Sequence, residues 1–324
     1  MSGSLRLASI DLGTNSTRLL VAGCDGARTE TLDRRAVITR LGEGVDQTRR
    51  LLAPAVERTL EALRGYRAAM DALGTQAVSA AATSVLRDCE NGEEFLDAAA
   101  EVIGERPVIL SGAEEARLSY IGAISDLDPQ SLSCGGAALV FDIGGGSTEL
   151  MTGDVSEGGT ESGLLVTSVD VGCVRMSERF LTSDPPSPIS IGRMESYIVS
   201  RLKPAVERLV SERPSCAIGL AGTVTTISAI NQGLKEYDTD LVHHSRLTLA
   251  DVRRIYLRLV SVPLEERKRV MGLEPERADI IVGGAGVLEV LMELAGLDEI
   301  LVSEKDILDG LVLDLFRALS APGR

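Results

Sequence analysis

Histidine is nearly absent from these 324 residues: there are two, adjacent at His243 and His244. That excludes a histidine-rich metal centre and gives a Ser-His-Asp triad no support, so the pair reads as a surface or loop feature. Cysteine is scarce as well. Cys24, Cys89, Cys134, Cys173 and Cys216 are odd in number, widely spaced and form no C-x-x-C pair. Neither a disulfide framework nor a zinc site is expected, and all five read as free thiols of a reducing cytosol. No lysine precedes Lys203 and no G-x-x-x-x-G-K-[ST] occurs, which excludes a P-loop. There is no run of 18 apolar residues that could cross a membrane. The opening MSGSLRLASIDLG has one arginine and no long apolar stretch, so no secretory leader is expected. Positive charge is in deficit, with a formal net charge of −15. Nucleic acid and membrane surfaces are therefore not expected partners, and a polyanionic ligand needs a local basic groove. On these absences a cytoplasmic location is expected.

What is present is ordinary globular material, 44% hydrophobic and 25% charged, long enough for two domains. Leu5–Asp11 reads as a buried strand returning through Ser16–Ala22, with a further strand over residues 30–40. Pro54–Leu73 has helical periodicity. Gln76–Ala81 is a strand, Asn91–Ile103 a helix, Pro107–Leu110 a short strand, and Ser111 opens another helix. The polar, Gly/Pro-bearing stretch Asp126–Gly136 is the best boundary candidate. After it the first pattern recurs: Ala138–Asp142 is apolar, Gly144-Gly-Gly-Ser-Thr turns and Glu149–Thr152 returns. Strand–helix alternation continues through Ala217–Ile230 and Ile280–Leu294 to a helix at Ile307–Leu319. The pattern predicts an α/β fold of two duplicated lobes around an interdomain cleft, residues 1–125 (completed by the C-terminal helix, 305–324) and 126–304.

The chemistry lies in the repeated turn. Ile10-Asp11-Leu12-Gly13-Thr14-Asn15-Ser16 and Phe141-Asp142-Ile143-Gly144-Gly145-Gly146-Ser147-Thr148-Glu149 each run from a strand-end carboxylate into a glycine–hydroxyl turn. Glycine admits positive φ and close approach, so successive N–H groups can cradle phosphate oxygens. The preceding aspartate can hold Mg²⁺ against that phosphate. Because the turn leads back into a strand, it is no dinucleotide G-x-G-x-x-G element. A third element, Ile218-Gly-Leu-Ala-Gly222-Thr223, ends a strand and opens a helix, again aiming amides at a ligand. Gly283, Gly284 and Gly286 carry a weaker signal, equally consistent with packing. Asp11, Asp142 and Glu149 form the metal-side acidic set, since three strand-tip carboxylates repel one another without a cation.

These motifs resemble the exopolyphosphatase/guanosine pentaphosphate phosphohydrolase (Ppx/GppA) family of the actin–hexokinase–Hsp70 superfamily. The resemblance rests on Ser9–Thr17, Leu41-Gly-Glu-Gly44, Ala82-Thr-Ser-Val-Leu-Arg87, Ser111-Gly-Ala-Glu-Glu-Ala-Arg117, Phe141–Glu149, Val171-Gly-Cys-Val-Arg175 and Arg277-Ala-Asp279, in family order along nearly the whole chain. It implies two ribonuclease H-like (actin-like ATPase) lobes, Mg²⁺ dependence and hydrolysis of a terminal phosphoanhydride. It is the short two-domain subgroup that the chain resembles, without the helical HD-type domain of longer members. Arg87 is implied as a phosphate-contacting catalytic arginine.

Glu115 is the candidate to orient and deprotonate the attacking water. Ser111-Gly-Ala-Glu114 has capping-box spacing, which commits Glu114 to the helix N-terminus. Glu115, about 100° round the helix, is then free for chemistry, and the family motif points to the same residue. Arg18 matches no motif. Arg28, Arg34, Arg35, Arg40, Arg49 and Arg50 could form a basic track for a phosphate chain, or simply lie on solvated faces. The expected activity is release of terminal orthophosphate from inorganic polyphosphate. Removal of the 5′-phosphate of guanosine pentaphosphate is the alternative. An actin-like-fold kinase and a non-catalytic nucleotide-binding regulator are more remote. A homodimer is possible on general grounds.

Overall fold

The computed structural model describes residues 4–25, 29–82, 86, 89–127, 136–155 and 163–320. Arg28, Arg87 and Cys134 lie outside these. The chain forms two compact units, Met1–Gly122 with Asp306–Arg324, and Ala123–Lys305. The division falls at Gly122/Ala123, inside a helix, rather than in the polar stretch that begins at Asp126.

In the first unit the strands are β1 (Leu5–Leu12), β2 (Ser16–Cys24), β3 (Thr29–Ile38), β4 (Ala77–Ala82) and β5 (Val108–Ile109), and the longer helices are α1 (Ala53–Ala72), α2 (Gly92–Ile103) and α3 (Gly112–Ile124). The sheet order is β3-β2-β1-β4-β5. β1, β2 and β3 are antiparallel; β4 and β5 continue from β1 in parallel. β1 is central and buried on both faces, so its period-two alternation sorts side chains into two cores. Ala8, Ile10 and Leu12 pack with Leu63, Tyr66, Phe95 and Leu96 of α1 and α2. Leu7, on the opposite face, packs with Leu308 and Val312 of the C-terminal helix, Ile307–Ser320.

That helix docks on α3 through glycines. A Cβ on Gly310 would lie 2.0 Å from the Leu118 carbonyl oxygen, and one on Gly122 would lie 1.8 Å from that of Asp306. In an exposed helix Gly→Ala gains about 1 kcal/mol. Here the obstacle is backbone, which no rotamer change relieves. Gly310→Ala is therefore expected to destabilise the protein by about 1–3 kcal/mol, the range for overpacking, read as a lower urea midpoint; an unchanged or raised midpoint would refute the docking.

In the second unit the elements are β6 (Ala137–Ile143), β7 (Thr148–Asp154), β8 (Leu165–Val169), α4 (Cys173–Phe180), α5 (Pro188–Val210), β9 (Cys216–Leu220), α6 (Ala221–Gln232), β10 (Arg246–Thr248), α7 (Leu249–Ser261), α8 (Ile281–Ala295) and β11 (Glu299–Val302). The sheet order is β10-β11-β9-β6-β7-β8, with β6–β7–β8 antiparallel and β9 and β11 parallel to β6. Apart from β10, this repeats the plan of the first sheet. Phe141, Ile143 and Leu150 pack beneath Met194, Ile198 and Leu202 of α5 and the buried face of α8. The chain is thus α/β, with two sheets of like topology.

Among the described residues no helix is long and apolar enough to cross a membrane. Cys24, Cys89 and Cys173 form no disulfide. Cys216 is disulfide-bonded, which corrects the expectation of free thiols throughout.

Candidate active site

The two hairpin turns share one geometry. Leu12 pairs with Thr17 and Asp11 with Arg18 in the first; Ile143 pairs with Thr148 and Asp142 with Glu149 in the second. Each therefore closes over four residues, Gly13–Ser16 and Gly144–Ser147. The Gly13 N–H donates to the Ser16 carbonyl at 3.1 Å, and the Gly144 N–H to that of Ser147 at 3.0 Å. A Cβ on Gly13 would lie 2.8 Å from the Ser16 oxygen, so glycine is required there.

In both turns neighbouring chain claims the carbonyls. Thr14 O accepts from Gly42 N at 2.8 Å, and Asn15 O from Thr39 N and Arg40 N at 3.1 and 2.9 Å. Gly144 O accepts from Cys173 N at 2.9 Å, and Gly145 O from Val174 N and Arg175 N at 2.9 and 3.1 Å. Arg175 Nε adds a bond to Gly146 O at 2.9 Å. This close approach explains Val171-Gly172-Cys173, because a Cβ on Gly172 would lie 2.4 Å from Gly145 O. With the carbonyls held from behind, the amides of Gly145 and Gly146 donate to no backbone carbonyl among the described residues. An anion is the natural occupant of such a nest. The Asn15 Nδ2 donor is likewise buried without a partner.

The acids divide by hairpin. Asp11 is buried and receives Nε and Nη2 of Arg18 on one oxygen, Oδ2, at 2.9 and 2.7 Å; Oδ1 is buried with no hydrogen-bond partner. Burial raises its pKa, with Arg18 working against that shift. The matching register position in the second hairpin is Glu149, which faces Asp142 across the strands, both of them buried. Ser168 Oγ donates to Glu149 Oε1 at 2.7 Å. Directly opposed carboxylates destabilise a strand pair, and a hard divalent ion that takes oxygen ligands relieves them. Within the second unit the opposed Asp142 and Glu149, and within the first the open Asp11 oxygen, each have the donor chemistry of a hard divalent ion's ligands.

Glu114 and Glu115 separate as their spacing implies. Ser111 N and Oγ both donate to Glu114 Oε2, at 2.8 and 2.7 Å, and Glu114 N donates to Ser111 Oγ at 3.2 Å. This reciprocal box holds the exposed Glu114 carboxyl below its usual range. Glu115, in the first turn of the same helix, is only 8% exposed.

The third glycine element does open a helix, α6. Ala221, its first residue, holds φ at +65°, a left-handed value uncommon outside glycine. Gly222 lies under Arg277, whose Nη1 would be 2.3 Å from a Cβ there; Arg277 Nε is held by Glu274 at 2.6 Å. Arg277 opens the Arg277-Ala-Asp279 motif, whose local pattern carries no sign of this contact. Thr223 presents its amide at the helix start, but its hydroxyl is turned to Cys173 and Gly284, which leaves only that amide for a ligand. Gly283, Gly284 and Gly286 are packing residues inside α8, against Ser177, Thr223 and Tyr256.

The arginine run does not form a row of free cations. Arg34 bonds Asp309, Arg35 pairs with Asp33 at 2.7 Å and Arg50 with Glu90 at 3.2 Å. Asp126, His243 and His244 lie close enough to share a metal, yet Asp126 and His243 are already committed to each other and to their neighbours. The Glu304 N–H donates to His243 Nδ1 at 3.1 Å, so Nε2 carries the proton that it shares with Asp126 at 3.0 Å. Lys305 Nζ lies 3.7 Å from the same carboxylate. His244 stacks on His243 at 3.7 Å, with Nε2 buried and unpartnered. Burial, then the neighbouring His243 imidazole, lowers the His244 pKa. A neutral native His244 and an unfolded one titrating near 6.5 give stability that is complete above about pH 6.5 and lost below it. Unfolding free energies at pH 7.5 and 5.5 should fall further apart in the wild type than in His244→Gln; equal slopes would contradict this.

Comparison with known proteins agrees with these motifs. The profile of the Ppx/GppA phosphatase family matches residues 20–318. A Mycobacterium tuberculosis protein named Exopolyphosphatase 2 is 40% identical over 323 residues, covering 96% of this chain and 98% of its own. The crystal structure of an exopolyphosphatase-like protein superposes with a TM-score of 0.90 at 34% identity, over 99% of this chain and 100% of that one. An Aquifex aeolicus Ppx/GppA family member superposes with a TM-score of 0.79 at 29% identity, over 98% and 99%. The chain belongs to the Ppx/GppA phosphatase family.

Proposed function

We propose that this chain is an exopolyphosphatase, releasing terminal orthophosphate from inorganic polyphosphate by Mg²⁺-dependent hydrolysis. The repeated hairpin carries the reading: two four-residue turns with one register and their carbonyls claimed from behind, each following a buried aspartate. The name of the 40%-identical Mycobacterium tuberculosis relative supports the choice of substrate.

Phosphoanhydride hydrolysis asks the protein for positioning and charge stabilisation rather than covalent chemistry. In this reading the amides of Thr14, Asn15 and Ser16, of Gly145, Gly146, Ser147 and Thr148, and of Gly222 and Thr223 hold phosphate oxygens; those of Gly13 and Gly144, also expected to do so, are instead used to close their turns on the Ser16 and Ser147 carbonyls. Arg277 adds charge beside Gly222, and Arg87 is assigned a phosphate contact through the family motif. Asp142 and Glu149 in the second unit, and Asp11 in the first, are the carboxylates assigned to Mg²⁺, which when bound would offset phosphate charge. Glu115 accepts a proton from water as the water oxygen bonds to the terminal phosphorus. The bridging P–O bond breaks, the shortened chain leaves with that bonding pair, and the proton passes to solvent.

The test is orthophosphate release from polyphosphates of several lengths and from guanosine pentaphosphate, with and without Mg²⁺. Release from polyphosphate that stops on chelation and returns with Mg²⁺ supports the proposal. Faster release from guanosine pentaphosphate moves the substrate to that nucleotide. Turnover that requires a hydroxyl acceptor would make the protein a kinase.

A further inference from the structure

The C-terminal segment reaches the cation-side acids through one arginine. Along β1, Leu7, Ser9 and Asp11 alternate onto a single face. Leu7 packs on Leu308 and Val312, and Ser9 Oγ donates to the Leu308 carbonyl at 2.8 Å. Asp11 continues that row. A guanidinium ordinarily forks onto both oxygens of one carboxylate. Arg18 instead places Nε and Nη2 on Asp11 Oδ2 alone and gives Nη1 to Asp306 Oδ2, 288 positions away. Asp306 is fixed in turn: its Oδ1 accepts from Leu308 N at 3.0 Å, and its own N–H donates to Asp309 Oδ2 at 3.3 Å. Arg34 bonds Asp309 and reaches Asp306 at 3.9 Å. Asp11, Asp306 and Asp309 are all buried. The outcome of the divided fork is the buried, partnerless Asp11 Oδ1, an arrangement that costs free energy unless a cation or donor completes it.

We propose that Arg18 and Asp306 are positioning residues for the divalent ion: Asp306 draws off one arm of the Arg18 fork, so that Asp11 is held by a single oxygen and presents the other to the metal. This rests on the assignment of Asp11 to the cation side. The position in the second hairpin that matches Arg18 is Glu149, so an acid stands there where the first hairpin has the tethering arginine.

The experiment is Mn²⁺ binding to the full chain followed by electron paramagnetic resonance, without substrate, with urea unfolding of each metal-free variant as the control for folding. In Asp306→Asn the freed Nη1 can close on both Asp11 oxygens, and Mn²⁺ affinity should fall ~10–100-fold, the usual effect of losing an outer-shell partner. Asp309→Asn removes the same charge from the same cluster without releasing Arg18, and should bind within about threefold of wild type on that basis. Arg18→Lys keeps the charge but cannot bridge two carboxylates, and should weaken binding as Asp306→Asn does. Equal losses in Asp306→Asn and Asp309→Asn would mean bulk charge rather than orientation and would overturn the proposal, as would wild-type affinity in Asp306→Asn or Arg18→Lys. Asp11→Asn serves as the separate check: unchanged Mn²⁺ binding there would remove Asp11 from the cation side, and with it the premise.

Discussion

Glu115→Gln is expected to slow orthophosphate release by ~10²–10⁴-fold, the usual contribution of a general base, while polyphosphate still binds. The substitution keeps the shape of a nearly buried side chain and removes only its capacity to take a proton. The adjacent residue supplies an internal control. Glu114 is exposed and committed to the Ser111 capping box, so Glu114→Gln should cost about 1 kcal/mol of stability or less and leave the rate within a few-fold. Rates and substrate affinities measured for both variants decide the matter. A Glu115→Gln enzyme at near-wild-type rate, or one that has lost substrate binding along with turnover, would take the role away from Glu115.

Removing one carboxylate of the second hairpin should have an effect of comparable size by a different route. Asp142 and Glu149 oppose each other in the register of β6 and β7 and are both buried, so the pair favours a bound cation. An ion that binds only the native state adds RT ln(1 + [L]/Kd), about 2.7 kcal/mol at a hundredfold excess over Kd. Wild-type protein should therefore gain thermal stability on addition of Mg²⁺. Glu149→Gln and Asp142→Asn should lose both that gain and their Mg²⁺-dependent turnover. Without metal, neither variant should melt below wild type, because each relieves a like-charge pair. A full Mg²⁺-induced shift in either variant would place the ion elsewhere.

The parts of the fold that were legible in the sequence are those written in local order. Asp11-Leu-Gly-Thr-Asn and Asp142-Ile-Gly-Gly-Gly announce themselves because a strand period of two ends in residues chosen for turn geometry. The Ser111–Glu114 spacing set the capping acid apart from Glu115 by helix periodicity, and the family motif made Glu115 the catalytic candidate. What was not legible depends on distant partners. No local pattern tells Arg18 that Asp306 stands 288 positions ahead, so its role had to come from the fold. Arg34, which reads as one more surface arginine, is committed to Asp309 for the same reason. The long helix Pro188–Val210 contains Pro204, a residue that ordinarily ends a helix, so its local pattern understates it. Thr223 reads as part of a turn that offers amides, and only the packing of α8 at Gly284 shows where its side chain is used. The disulfide of Cys216 gives no spacing signal at all.

Hydrolysis by this protein requires that water attack the terminal phosphorus of a phosphate chain. The most direct measurement is hydrolysis of polyphosphate in ¹⁸O-enriched water with Mg²⁺, followed by mass analysis of both products. One ¹⁸O in each released orthophosphate and none in the shortened chain is the predicted result. Label at the end of the remaining chain, or cleavage at internal bonds before orthophosphate appears, would contradict it.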